Sequence, residues 1–119
     1  MQIIGFDQSS ALKSDRFGGS GVMISRIVRL RSETQASLLF FEPGSRVGDH
    51  PAATQQLFLV VAGQGWVRSE EGQPVPIQVG EGALWETGER HESGTDEGMT
   101  VMIIESEAVE PLGSLRFVP

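Results

Sequence analysis

Hydrophobic and polar residues alternate over short stretches that cover most of the chain. From Val22 to Leu30 the alternation has a period of two and uses β-branched residues, which is typical of a β-strand. By the same criterion, further strands are predicted at residues 34–41, 66–69, 75–79, 83–85, 100–105 and 115–118. No window of eleven or more residues has a helical repeat, and residues 9–16 are expected to form one helical turn at most. The pattern predicts an all-β protein.

Glycine and proline punctuate these strands. Residues 57–61 are apolar at every position, which predicts a strand buried on both faces. The glycines within residues 63–65 are expected to interrupt that strand, and turns are predicted at residues 70–74 and 80–82. Pro76 cannot donate a backbone hydrogen bond, so its strand is expected at a sheet edge or at a bulge. Short strands at spacings of about 8–12 residues favour a sandwich or a closed barrel.

Composition and charge narrow the class of protein. A chain of 119 residues is the size of one domain, so residues 1–119 are interpreted as a single unit. Nine Lys and Arg against 16 Asp and Glu give a net charge of −7, and an acidic surface repels the phosphate backbone of nucleic acids. The absence of cysteine excludes disulfides, zinc fingers, iron–sulfur clusters and thiol nucleophiles. Without a long apolar segment or a leader pattern, the sequence predicts a cytoplasmic protein that binds neither membranes nor nucleic acid.

The chain has two histidines, and each follows a glycine-marked turn beside a predicted strand. The first stretch, residues 44–63, has the frame Gly44, five residues, His50, Pro51, Ala52, three residues, Gln56, six residues, Gly63. The second stretch, residues 80–95, has the frame Gly80, five residues, Glu86, Thr87, Gly88, two residues, His91, three residues, Thr95. A lone histidine near a turn is more often structural than a ligand, so the surrounding frame decides how this pair is interpreted.

This spacing resembles the two sequence motifs of the cupin superfamily. The first family motif reads Gly, five residues, His-x-His, three or four residues, Glu, six residues, Gly. The second reads Gly, five residues, Pro-x-Gly, two residues, His, three residues, Asn. The glycines match throughout, over about half of the chain. The resemblance implies an all-β, single-domain cupin with a small jelly-roll β-barrel, whose interior is lined by both motifs.

The metal ligands of the family are only partly retained. His50 and His91 match two of the four ligands, whereas Ala52 and Gln56 stand where the family has a second histidine and a glutamate. Alanine has no donor atom, and an amide oxygen is a weaker ligand than a carboxylate. The resemblance therefore implies a degenerate site. In that site His50, His91 and Gln56 hold one divalent ion (Fe, Mn, Ni or Zn) weakly, or the ion is absent.

Strand alternation indicates which side chains face the interior. His50 and Ala52 have the same parity, so both are expected to point inward. The predicted ligand pocket consists of His50, Ala52, Gln56, Phe58, Trp85, His91 and Met102. Asp49 and Glu92 adjoin the histidines in sequence and are expected to face away, and Glu86 is expected to be a solvated turn residue. An apolar pocket with a few polar groups is the usual form of a small-molecule site.

Three functions remain open from the sequence. The first is a binding module for a small organic ligand, with a partly lost metal site. The second is a metal-dependent enzyme of the dioxygenase or isomerase type that uses His50 and His91, with Gln56 as a further ligand. The third is a structural or interaction protein in which both histidines are incidental.

A homodimer with twofold symmetry is also predicted. Exposed sheet edges are commonly covered by pairing, and residues 1–6 are apolar enough to pair with a neighbouring copy. The resemblance to cupins, which are often dimers, implies the same assembly.

Overall fold

The structure is a computed structural model that describes residues 1–70 and 72–117. Within these ranges the chain forms thirteen β-strands and two short 3₁₀ turns, Gln8–Ser10 and Arg16–Gly18. The strands are β1 Gln2–Gly5, β2 Leu12–Ser14, β3 Val22–Ile24, β4 Val28–Leu30, β5 Thr34–Phe41, β6 Arg46–Pro51, β7 Gln55–Ser69, β8 Val75–Gln78, β9 Glu81–Trp85, β10 Arg90–Gly94, β11 Met99–Ser106, β12 Val109–Pro111 and β13 Ser114–Phe117. The all-β prediction is confirmed. No helix in the described part of the chain is long and apolar enough to cross a membrane.

Two antiparallel sheets share the long strand β7. In the first sheet the order is β13-β1-β9-β7-β11-β5, and residues 55–63 of β7 contribute to it. In the second sheet, residues 64–69 of β7 pair with β8 and β10, and β10 pairs with β6. This is a jelly-roll arrangement of two facing sheets. Hydrogen bonding does not close the described strands into a barrel, because the path ends at β13 and at β6.

The glycines at residues 63–65 bend β7 instead of interrupting it, contrary to the prediction. Gly63 has a φ of +78°, which favours glycine, and a Cβ there would overlap the carbonyl oxygen of Gly98. The register with β11 shifts beside Val61, which has no partner residue there, as in a β-bulge. One strand can therefore pass from the first sheet into the second without losing its hydrogen bonds.

Four further predictions from the sequence are refined or confirmed by the structure. The stretch from Val22 to Leu30 is divided into β3, which pairs with β2, and β4, which pairs with β12. Residues 9–16 contain β2 between the two 3₁₀ turns. β8, which contains Pro76, pairs with β7 alone among the described strands, so its predicted edge position is confirmed. Of the predicted last strand, residues 115–117 lie in β13, and Val118 is outside the described residues.

The amino-terminal stretch pairs within its own chain. Residues 2–5 form β1, which is hydrogen-bonded to β9 on one side and to β13 on the other. Both edges of this stretch are therefore occupied, and the expectation that residues 1–6 pair with a neighbouring copy is wrong. The homodimer itself stays a prediction.

Hydrophobic cores lie on both faces of the first sheet. The inner core, between the sheets, contains Ile3, Phe41, Ala52, Phe58, Val60, Val67, Ile77, Ala83, Trp85, Met99, Val101 and Ile103. The outer core contains Ile4, Leu57, Leu59, Leu84, Ile104 and Val109, with residues of β4 packed against it. Successive residues of β7 enter different cores, which explains why residues 57–60 are all apolar and buried. The predicted burial on both faces is confirmed for these four residues, whereas Val61 at the bulge is exposed.

Candidate functional site

His50 and His91 lie next to each other on adjacent strands. They are paired residues of β6 and β10, and their ring centroids are 4.3 Å apart. His91 is only 2% exposed, while His50 is half-buried. The indole ring of Trp85, which belongs to the facing sheet, stacks on the other side of His91 with a centroid distance of 4.2 Å. The two imidazoles that the sequence predicts to meet are therefore in contact.

Backbone carbonyls fix the tautomer of both rings. The Nδ1 of His50 is 2.7 Å from the carbonyl oxygen of Gly48, and the Nδ1 of His91 is 3.1 Å from that of Glu89. A carbonyl oxygen only accepts hydrogen bonds, so each Nδ1 carries a proton, and in a neutral ring the Nε2 is then a lone-pair acceptor. The Nε2 of His91 is buried and has no hydrogen-bond partner among the described residues. The Nε1 of Trp85 is likewise buried without a partner among the described residues, so two unsatisfied polar atoms lie at this stacked pair of rings.

The charge state of His91 follows from its surroundings. Burial lowers the pKa of His91 below the ordinary histidine value, because desolvation penalises the imidazolium. The hydrogen bond to the Glu89 carbonyl opposes that shift, while the neighbouring His50 adds to it. His91 is therefore neutral near pH 7 and keeps its Nε2 lone pair free.

A carboxylate that the sequence interpretation overlooked also faces this region. Gln56 of β7 and Glu105 of β11 are paired residues, and the Gln56 amide donates to a Glu105 carboxylate oxygen at 2.9 Å. Glu105 has the same strand parity as Ile103 and Val101, which face the inner core. That parity was the available signal in the sequence.

These groups surround a cavity of about 270 Å³ between the sheets. It is lined by Gln35, Ser37, Leu39, Val47, His50, Gln56, Phe58, His91, Ser93, Ile103 and Glu105. One part of the lining is hydrocarbon and the other part carries imidazole, amide, hydroxyl and carboxylate groups. Such a mixture is typical of a small-molecule site.

A second cavity of about 320 Å³ adjoins the first and shares Gln35 and Glu105 with it. Its lining consists of Ser32, Glu33, Thr34, Gln35, Ala53, Thr54, Glu105, Ser106 and Glu107. Glu33 and Glu107 are exposed, so this second cavity opens towards solvent. Within the described ranges, neither lining contains a lysine or an arginine.

The structure brings most of the predicted pocket together. His50, Gln56, Phe58 and His91 line the cavity, and Trp85 supports the ring of His91 from behind. Two predicted residues lie elsewhere. Ala52 is buried in the inner core and does not line the cavity.

Met102 faces the opposite side of β11 and packs against the outer core. Its place in the cavity lining is taken by Ile103, the next residue along the strand. The prediction was therefore wrong by one residue. Because successive side chains of a strand point to opposite faces, an error of one residue places the side chain on the other face of the sheet.

The donor set does not form a complete metal shell. Asp49 pairs with Arg90 at 3.2 Å and Glu92 with Arg68 at 3.3 Å, so neither carboxylate lines the cavity, as predicted. In residues 1–70 and 72–117, no three His, Asp or Glu side chains are grouped so that they could hold a metal ion. Two imidazoles alone do not fit the three- or four-ligand site of a protein-bound divalent ion.

A somewhat larger cavity, about 390 Å³, lies beside Trp66 and does not include either histidine. Trp66 alternates with the inward-facing Val67, so this cavity is on the outer face of the second sheet. Two of its three carboxylates already have partners within the protein: Glu97 accepts from Gln64 at 3.0 Å, and Glu81 pairs with Arg116 at 3.3 Å. The histidine cavity is therefore the better candidate despite its smaller volume.

Comparisons with known proteins support the fold. No protein-family model matches the sequence, and no curated protein matches it. Among solved structures, a cupin superfamily protein from Desulfitobacterium hafniense is 14% identical, aligned over 69% of this chain and 77% of that one, with a TM-score of 0.59. A cupin-like protein from Thermotoga maritima is 23% identical over 73% of this chain and 75% of that one, with a TM-score of 0.59.

A third similar structure is a predicted oxalate decarboxylase from Thermotoga maritima. It is 21% identical over 65% of both chains, with a TM-score of 0.53. Identities at this level speak for shared architecture and not for shared activity. The glycine and histidine spacing, the two-sheet jelly roll and these structural neighbours agree: the chain has the fold of the cupin superfamily.

Proposed function

We propose that this protein is a binding module that takes up a small organic molecule in the cavity beside His50 and His91. The observation that carries the proposal is the buried Nε2 of His91, which lacks a partner among the described residues. Leaving a buried polar group unsatisfied costs about 1–3 kcal/mol. A ligand that donates a hydrogen bond to this atom would remove that cost.

The partly lost metal site is part of the same proposal. Ala52 and Gln56 stand where the family has ligands, and the amide of Gln56 is engaged by Glu105. Losing a ligand that touches the ion costs at least as much affinity as losing its supporting groups, for which about 10–100-fold is typical. Any ion held by two imidazoles is therefore expected to exchange readily.

The alternative is a metal-dependent enzyme of the dioxygenase or isomerase type. One observation favours it, namely that both imidazoles direct their Nδ1 protons to carbonyl groups, the usual support of a metal-binding histidine. A predicted oxalate decarboxylase also shares the fold at 21% identity. The described carboxylates do not complete the shell, so this alternative is second.

The test uses the two histidines as reporters, since the chain has no others. Protein treated with a chelator is screened against small organic fragments, and binding is followed by the imidazole NMR signals, assigned with His50→Ala. We expect saturable shifts of the His50 and His91 signals with a subset of fragments, and in His91→Phe we expect the shifts of the remaining His50 signal to be lost.

The metal content of untreated protein is measured in parallel. We expect less than one divalent ion per chain. One firmly held ion per chain, lost in both His50→Ala and His91→Ala, would instead establish the metal-dependent alternative. A cavity that binds no fragment, with or without added Zn²⁺, would overturn both functions and leave the structural role.

A further inference from the structure

The imidazole and carboxylate groups of the cavity are hydrogen-bond acceptors. The Nε2 atoms of His50 and His91 are lone-pair acceptors, because both Nδ1 protons are directed to backbone carbonyls. Glu105 contributes carboxylate oxygens, and its only side-chain donor within the described ranges is the amide of Gln56. The nearby indole N–H of Trp85 is a donor, but Trp85 does not line the cavity. A ligand group placed between Glu105 and the imidazoles must therefore supply hydrogen-bond donors, while Gln35, Ser37 and Ser93 add groups that can either donate or accept elsewhere in the lining.

The charges around the cavity have one sign. Glu105 lies where the two adjoining cavities meet, and Glu33 and Glu107 line the outer one. Arg68 and Arg90 pair with Glu92 and Asp49, and neither they nor Arg46, which adjoins the lining residue Val47, line either cavity. A carboxylate or phosphate entering this space would meet Glu105 without a compensating cation in either lining, as far as the described residues extend.

The remaining surface is hydrocarbon. Leu39, Phe58 and Ile103 come from β5, β7 and β11 and form one continuous apolar side of the cavity. A compact hydrocarbon group placed there would leave water and gain burial. The volume of about 270 Å³ limits the ligand to a small molecule.

Resting on the proposed function, we infer that this cavity selects small organic cations, with an ammonium group at Glu105 and the imidazoles and a compact hydrocarbon body against Leu39, Phe58 and Ile103. An ammonium group supplies three hydrogen-bond donors and a positive charge that balances the carboxylate of Glu105. A neutral hydroxyl supplies a single donor and no charge. Charge-assisted hydrogen bonds are about twice as strong as neutral ones, so the order is ammonium, then hydroxyl, then carboxylate.

A matched set of probes tests that order. Cyclohexylamine, cyclohexanol and cyclohexanecarboxylate share one ring and differ in a single group, and oxalate adds an anion without a hydrocarbon body. Each is titrated at pH 7.5 into chelator-treated protein while the His50 and His91 imidazole signals are followed. We expect saturation with the amine, about tenfold weaker binding of the alcohol, and no saturable shift with either anion.

Glu105→Gln is the decisive variant. It keeps the shape of the side chain and its contact with Gln56 but removes the charge, so the affinity for cyclohexylamine is expected to fall about tenfold or more. The affinity for cyclohexanol is expected to change little. Glu110→Gln is the matched control, because Glu110 lies on the outer β12 near Arg29 and Arg31 and should leave both affinities unchanged.

The outcomes separate the inference from the proposed function. If the alcohol or an anion binds as well as the amine, or if Glu105→Gln leaves the amine affinity intact, the inference is wrong and the binding function stands. If the amine binds only after Zn²⁺ is restored, the cavity recognises a metal complex and the inference also fails. If no probe and no fragment binds, the proposed function fails with it.

Discussion

The two ends of the space between the sheets treat buried polar groups in opposite ways. At the far end, near Met99, the buried hydroxyl of Thr95 donates to the Gln64 carbonyl at 2.6 Å and accepts from the Gly98 N–H at 2.9 Å. At the cavity end, Nε2 of His91 and Nε1 of Trp85 are buried without partners among the described residues.

This difference separates buried polar groups whose hydrogen bonds maintain the fold from buried polar groups whose hydrogen-bonding capacity is unused. Native proteins satisfy nearly all of their buried polar groups, and each exception calls for an explanation. At the far end, the hydrogen bonds of the Thr95 hydroxyl stabilise the turn that follows β10. At the cavity end the unsatisfied atoms reduce stability, since a buried polar group without a partner carries a desolvation cost.

The largest effect on the free energy of unfolding is expected at the far end, near Met99. Met99→Ala removes a side chain that is buried in the inner core, and truncations of this kind cost about 2–5 kcal/mol. Urea unfolding measures the loss, and the imidazole NMR signals should keep their positions because Met99 does not line the histidine cavity. A loss below about 1 kcal/mol would contradict the contribution assigned to Met99, and displaced imidazole signals would show that the two ends are not independent.

Thr95→Val tests the satisfied hydroxyl. The change keeps the shape of the side chain but deprives the Gly98 N–H and the Gln64 carbonyl of their partner. We expect the free energy of unfolding to fall by about 1–3 kcal/mol. Thr95→Ser, which retains the hydroxyl, is the control and should recover most of the hydrogen-bond contribution. Equal losses in both variants would assign the effect to packing instead.

The dependence of stability on pH probes the cavity end. Because the pKa of His91 is lowered in the folded state, the unfolded chain binds more protons than the folded one below about pH 6.5. The contribution of His91 to stability is therefore present above that pH and is lost as the pH falls towards the folded pKa. Urea unfolding between pH 7.5 and 5 measures the decline, which should be smaller in His91→Phe. An identical decline in the two proteins would contradict the assignment.

The smallest effect on stability is expected from His91→Phe itself at pH 7.5. Replacing a buried, unsatisfied imidazole by an apolar ring of similar shape can be neutral or stabilising, so a change within about 1 kcal/mol is expected. The ring can still stack on Trp85, while the acceptor atom is gone. Calorimetric unfolding measures the change in stability, and cyclohexylamine titration measures the change in binding. A large destabilisation with retained binding would show that His91 maintains the fold and does not serve the ligand.

The fold was predictable because its glycines carry local information. Gly44, Gly80 and Gly88 of the recognised frame all have positive φ, a conformation that side chains disfavour, so their spacing marks turns that any sequence with this fold must make. Gly63 belongs to the same frame but marks a bend within a strand. Sequence alone does not separate a bend from a break, since the partner strands that preserve β7 are distant in the chain.

The site was predictable only in part. His50 and His91 stand out because imidazoles are rare in this chain. The inward face of β11 is harder to recognise, since both faces of that strand are buried in different cores and residues 101–104 are all apolar. Polarity therefore could not decide between Met102 and Ile103 as the inward-facing residue. Glu105 has the same parity as Ile103, so its inward direction was missed for the same reason.

The long strand β7 also has a consequence for the biosynthesis of the protein. All four of its partners, β8, β9, β10 and β11, follow it along the chain. When β7 has emerged from the ribosome, its apolar residues and its unpaired backbone groups stay exposed. The last partner strand, β11, is complete only when residue 106 has also emerged. During that interval the nascent polypeptide is most vulnerable to aggregation and to capture by chaperones.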